Sequence, residues 1–165
     1  MGVKPRVLII SPHNDDALIG CYQFLTGKMT VLGVNANNSE LYVFFDRDDD
    51  MTFDRWREAL EFAKAFELKV LEREELRKFS YDIVFAPSPE SKHYKHKYWS
   101  WASLDLEAYA RVFYSIDMDE WWVRPLHLDL RREKKKVLDT FFPLESELWE
   151  KDGKYYIFEG YVMLL

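Results

Sequence analysis

Short unbroken apolar runs alternate along this chain with longer segments in which apolar residues recur every third or fourth position. The first run, Val7–Ile10, has the composition of a strand covered on both faces. Asp15–Thr26 then carries Ala17, Leu18, Cys21 and Leu25 along one side, with Gly27 just past its end, which predicts a helix and its stop. Thr30–Val34 and Leu41–Phe45 both read as strands, either a hairpin or two separate ones, with turn chemistry in the intervening "NANNSE". Thr52–Phe66 is the clearest helix: Thr52 is a natural N-cap, and Phe53, Trp56, Leu60, Ala63 and Phe66 follow at helical spacing. Lys69–Glu72 and Asp82–Ala86 read as strands. The loop "PSPESKHYKHKYW" leads into a helix that the pattern carries to about Phe113. Trp121–Arg124 predicts a strand, Leu130–Thr140 a helix that Asp129 would cap, and Lys154–Val162 a final strand free to run antiparallel. Alternation of this kind predicts a single α/β domain over residues 1–165, a three-layer α/β/α sandwich on a mostly parallel sheet.

Composition narrows the picture. At 165 residues and 48% apolar content the chain can bury one proper core and is not a disordered polymer. A net charge of -6 argues against a nucleic-acid binder that depends on neutralising phosphates. The basic run Arg131–Lys136 and the acidic run Asp46–Asp50 read as solvated faces. One cysteine, Cys21, excludes an internal disulfide framework and fits a buried position in a reducing compartment. The opening "MGVKPRVLII" has too short an apolar segment for a signal peptide, and no apolar run approaches the ~20 residues that span a bilayer. The expectation is a cytoplasmic protein, for which the "NNS" sequon at Asn37–Ser39 carries no meaning.

Polar chemistry is concentrated after two of the predicted strands. His13-Asn14-Asp15-Asp16 follows Val7–Ile10, and His93-Tyr94-Lys95-His96 follows Asp82–Ala86. In a parallel sheet, ligands sit beyond the carboxyl ends of the strands, so both loops would reach one edge. Imidazole and carboxylate are the ligand types zinc takes at hydrolytic sites. His13 and Asp16 stand three apart, as do His93 and His96, a spacing that a helical turn brings to one side. Helix capping would explain an aspartate here but neither the histidine nor the second acid. His127, alone between leucines, reads as a structural residue. The aromatic content, 17%, fits core packing or a subunit interface, and so allows a homo-oligomer.

"SPHNDDALIGC" and "FAPSPESKHYKH" together resemble the PIG-L, or LmbE-like, family of zinc-dependent N-acetylglucosaminyl de-N-acetylases, marked by P-H-x-D-D after the first strand and H-x-D-H after a later one. "RWREALEFAKAFEL" and "DLRREKKKVLDTFF" are similar to that family's R-x-x-E helix and its lysine-bearing C-terminal helix. The resemblance implies a Rossmann-like fold, Zn²⁺ (or another divalent ion) held by His13, Asp16 and His96, and Asp15 as general base toward the attacking water. It also implies that His93 stabilises the oxyanion or protonates the departing amine, with Arg55 at the substrate rim. The substrate would be a small amino-sugar conjugate losing an acyl group, without nucleic acid or membrane insertion. Alternatives are a hydrolase of another amide or ester, and a catalytically weak member that keeps the metal for structure or ligand sensing. The chain departs from the pattern at Asn14, in place of the usual proline, and at Lys95, in place of an aspartate.

Overall fold

The computed structural model describes residues 3–48 and 51–164. A seven-stranded sheet forms its middle layer: β1 (Arg6–Ser11), β2 (Glu40–Phe45), β3 (Lys69–Leu71), β4 (Tyr81–Pro87), β5 (Ala108–Tyr114), β6 (Val123–Pro125) and β7 (Phe158–Leu164), in the order β3-β2-β1-β4-β5-β7-β6. The strands from β3 to β5 pair in parallel, and β7 runs antiparallel to both β5 and β6. Val7, Ile9, Val43, Phe45, Ile83 and Phe85 point to one face, where they meet α1 (Asp16–Leu25), α2 (Phe53–Ala65) and Leu138 of α4 (Leu128–Phe141). Leu8, Ile10, Phe44, Val84 and Ala86 point to the other, against Trp99 of α3 (Tyr94–Ala102) and Leu76 of a short 3-10 turn. The three-layer expectation is met.

The strand order fixes where chemistry can occur. From β1 the chain moves to β2 and then β3 on one side, and returns to β4 on the other, so the connections after β1 and β4 diverge. β1 and β4 are hydrogen-bonded neighbours with Ile9 opposite Phe85. The two motif loops therefore leave adjacent strands at the same edge, the position at which open α/β sheets bind ligands.

Several local expectations are corrected. Thr30–Val34 is no strand: Val31 and Val34 form an isolated bridge around a tight turn in which Leu32 (φ 49°) and Gly33 (φ 76°) take positive φ. The helix read through Phe113 stops at Ala102, and Ala108–Tyr114 is a strand. Arg111 closes the helix end from that strand, donating to the carbonyls of Ser103 (3.2 Å), Leu104 (3.3 Å) and Leu106. The last strand starts at Phe158 because Lys154–Ile157 forms one helical turn, α6, preceded by an unforeseen α5 (Ser146–Lys151). Asp129 is not the cap of α4; His127 holds that position and Asp129 lies in the first turn. Thr52 does cap α2, accepting from the Arg55 amide at 3.4 Å, and Cys21 is buried. The basic run is no uniform solvated face, because Lys134 is wholly buried against Glu159.

Candidate metal centre

Ser11, the last residue of β1, organises the first motif. Its hydroxyl donates to the His13 carbonyl at 2.7 Å and accepts from the Ala17 amide at 3.0 Å, winding the chain into α1 as soon as it leaves the sheet. Asp15 occupies the N-cap position and Asp16 opens the helix. Asp16 Oδ2 turns back to accept from the His13 amide at 2.8 Å, which places it beside the His13 ring. The second motif enters α3 with His93 at the N-cap, its Nδ1 accepting from the Lys95 amide at 3.2 Å. His96, a turn further on, aims Nε2 at the first motif.

The donor atoms of His13, Asp16 and His96 converge. His13 Nδ1 lies 3.2 Å from Asp16 Oδ2 and 3.2 Å from His96 Nε2, and His96 Nε2 lies 3.1 Å from Asp16 Oδ2. Ligands on a tetrahedral zinc with bonds of about 2.0–2.1 Å stand about 3.3 Å apart, so this triangle has the dimensions of one face of that polyhedron. The orientation of His96 agrees: its Nδ1 is 2.9 Å from Ser91 Oγ, and donation there leaves Nε2 with the lone pair a metal needs. The residues present therefore fit the ion.

Electrostatics follow from the crowding. Burial works against charge on both rings, but Asp16 outweighs it and raises the pKa of His13 and of His96. Asp16 is buried, which alone would raise it, yet the two histidines hold its carboxyl well below the usual range. Asp15 goes the opposite way: burial, with Asp16 and Glu145 adding like charge, pushes it up to about 8. His93 is lowered by burial and by the neighbouring His13 and His96 rings. Its ring centroid is 4.6 Å from that of His13 and 5.0 Å from that of His96.

A cavity of about 240 Å³ opens over this cluster. All the sequence-predicted site residues line it: His13, Asp15, Asp16, Arg55, His93 and His96. Arg55 reaches it from α2 and pairs through Nε with Glu145 at 2.5 Å. Its helical neighbour Glu58 faces elsewhere, accepting from Asn14 Nδ2 and from the Leu144 amide, both at 3.2 Å, and so ties the first motif to the turn that carries Glu145. His127 is not among the lining residues. Sequence reasoning missed Ser11, Ser91, Glu145, Asp117 and Tyr155. A serine five residues before a candidate ligand leaves no pattern, and Glu145 and Tyr155 arrive from segments distant in the chain.

No family model matches this sequence, and no curated protein does. Solved structures do match in fold. The N,N'-diacetylchitobiose deacetylase from Pyrococcus horikoshii, complexed with its inhibitor, aligns with a TM-score of 0.60 at 19% identity, covering 98% of this chain and 84% of that one. A conserved protein from Thermus thermophilus aligns at 0.58 and 15% identity, covering 96% of this chain and 94% of the other. GalB, the 4-carboxy-2-hydroxymuconate hydratase from Pseudomonas putida, aligns at 0.62 and 14% identity, covering 98% and 96%. This chain thus has the α/β fold of these proteins over nearly its full length. The shared fold agrees with the resemblance carried by the two motifs, and a deacetylase and a hydratase on one scaffold leave the reaction to be argued from the site.

Proposed function

We propose that this protein is a zinc-dependent hydrolase that removes an N-acyl group, acetyl above all, from a small amino-sugar conjugate. The observation that carries this reading is the convergence of His13, Asp16 and His96 on one point, with Asp15 beside it in the same cavity. Zn²⁺ held there supplies a Lewis acid for the acyl carbonyl and lowers the pKa of water to ~7. Asp15 takes the proton of the attacking water at its carboxylate. Its burial, with proximity to Asp16 and Glu145, gives it the proton affinity that a base working near neutrality needs. His93 lines the same cavity beside the His13 and His96 rings, and its Nδ1 is occupied by the Lys95 amide, so the ring offers Nε2–H to the developing oxyanion. Arg55, braced by Glu145, presents its guanidinium at the rim to a hydroxyl or phosphate of the conjugate. A cavity this size takes one acylated residue and leaves the remainder of the conjugate outside. The lone buried cysteine supports a reducing, cytoplasmic setting.

An amine-release assay across N-acetylglucosamine conjugates, with total metal measured on the same protein, tests this reading. We expect about one zinc per chain and release of free amine. Metal without release on any acetamide, with cleavage of acyl esters, would favour an esterase. A second reading, a metal-holding protein with weak catalysis, draws on Lys95, which supplies no carboxylate to charge His93. Stoichiometric zinc with no turnover on amide or ester is its signature.

A further inference from the structure

Lys95 occupies the first turn of α3, one residue before His96, yet its side chain is only 3% exposed. Its ammonium turns away from the cavity toward the acidic segment that follows β2, 3.0 Å from Asp48 Oδ1 and 3.3 Å from the Asp46 carbonyl. One helical turn along the same face, Trp99 Nε1 donates to Asp46 Oδ2 at 2.7 Å. Arg73 completes the cluster, donating to Asp46 Oδ1 at 3.2 Å while its guanidinium lies 5.0 Å over the Trp99 ring. The same segment grips α2: the Arg47 guanidinium lies 4.1 Å over the Trp56 ring. The Met51 amide bonds the Asp48 carbonyl at 3.1 Å, and Met51 with Arg55 lines the cavity rim.

The geometry points to Lys95 as a positioning residue. It clasps the acidic loop after β2 to α3, and so fixes both the rotation of α3 that aims His96 at Asp16 and the stance of the Met51–Arg55 rim. This role rests on the metal-site reading for its functional meaning. A helix turned about its axis by a fraction of a turn would swing the His96 ring out of the donor triangle, and two contacts on one face, at positions 95 and 99, prevent that rotation. Burying an ammonium is costly unless it is fully partnered, which makes an incidental surface pair a poor explanation. An aspartate at position 95 would be too short to reach Asp48 or the Asp46 carbonyl, and would leave both without the ammonium. The acidic loop and Lys95 are therefore a matched pair, and the departure from the family pattern is a substitution of one positioning device for another.

The test is zinc affinity, measured by competition with a chelator, alongside the structure of the metal-free variants. Lys95→Met is expected to weaken zinc binding roughly 10- to 100-fold and to shift His96 Nε2 away from Asp16, as losses of supporting contacts around metal ligands do. Lys95→Arg should restore affinity to near that of the parent. Asp48→Asn, at an exposed residue that is not itself a candidate ligand, should reproduce a several-fold loss, and it carries the test if Lys95→Met does not fold. A purely structural lysine would lower the melting temperature and leave affinity alone. Unchanged affinity in a folded Lys95→Met or in Asp48→Asn overturns the inference. If the parent protein binds no zinc, the metal reading fails by itself. The clasp is then judged on the metal-free Lys95→Met structure, where His96 Nε2 still about 3.1 Å from Asp16 would overturn it and a displaced ring would uphold it.

Discussion

Asp15 and Asp16 are adjacent, chemically identical and driven in opposite directions by what surrounds them. Asp16 faces two imidazoles and stays ionised; Asp15 faces burial and other carboxylates, which raise its affinity for a proton. That contrast suits the proposed roles of Asp16 as ligand and Asp15 as base, which carry distinct expectations. Asp16→Ala or His96→Ala should lose the metal itself. Asp15→Asn should keep it and lower turnover on the order of 10²–10⁴-fold. Metal analysis and the amine-release assay on the same samples separate these outcomes. In the metal-free protein, Asp15 holds its proton more tightly than the unfolded chain does, so folding stability falls as pH rises from about 4 toward the Asp15 value of about 8. Asp15→Asn should flatten that decline, read as melting temperature against pH. The raised pKa values of His13 and His96 set a second pH dependence. Both rings must shed protons to take a metal, so zinc affinity should begin to fall above the ordinary histidine value of about 6.5 as the solution is acidified, with protons released on binding. A chelator titration at several pH values measures it.

At the scale of elements, the buried strands and α2 were legible because their signals are local: apolar runs, an N-cap and a helical stripe. Gly27 was equally legible as a stop, and takes φ 74° just past α1. Ala108–Tyr114 was not legible as a strand. Tyrosines, alanines and an arginine suit either structure, and the helix before it is closed by Arg111 from the strand itself, a contact that exists only after folding. α1 shows a related limit. Its Gly20 sits where an added Cβ would meet the Tyr114 ring at 2.1 Å, so α1 packs on β5 through a position the helical pattern marks only as weak. Gly20→Ala should destabilise the protein by about 1–3 kcal/mol, or more if the ring cannot move, despite the better helix propensity of alanine. Denaturant unfolding gives the value.

At the scale of the whole molecule, the most buried ion pair among the described residues is that of Lys134 with Glu159. Lys134 on α4 is fully buried, 3.1 Å from Glu159 Oε2 on β7 and 2.5 Å from the Ile19 carbonyl on α1, joining three elements through one ammonium. Removing it leaves the buried Glu159 charge without its cation, so Lys134→Met should cost about 3–5 kcal/mol of stability. Lys134 bonds to none of the candidate ligands His13, Asp16 and His96, although Ile19, whose backbone carbonyl it holds, also lines the cavity. Zinc affinity of the folded variant should therefore match the parent, a result that chelator competition below the melting temperature would check. Among the described residues no helix is long and apolar enough to cross a membrane.

The sequence by itself determined the α/β alternation, the two strands whose loops carry the chemistry, and the residue types able to hold a metal. Each of these depends on neighbours within a few positions of the chain, and the rest is set by contacts between distant segments. Packing β1 beside β4 brought His13 and Asp16 to His96, eighty positions apart in the case of Asp16 and His96. Burial and the neighbouring charges then drove two like aspartates in opposite directions, as the proposed roles of ligand and base require. The same folding carried Lys134 out of what reads as surface charge, and set Lys95 and Glu58 in fixed partnerships that no local pattern marks. A run of charges announces solvent only on average; which member finds a buried partner depends on what the sheet order places opposite it.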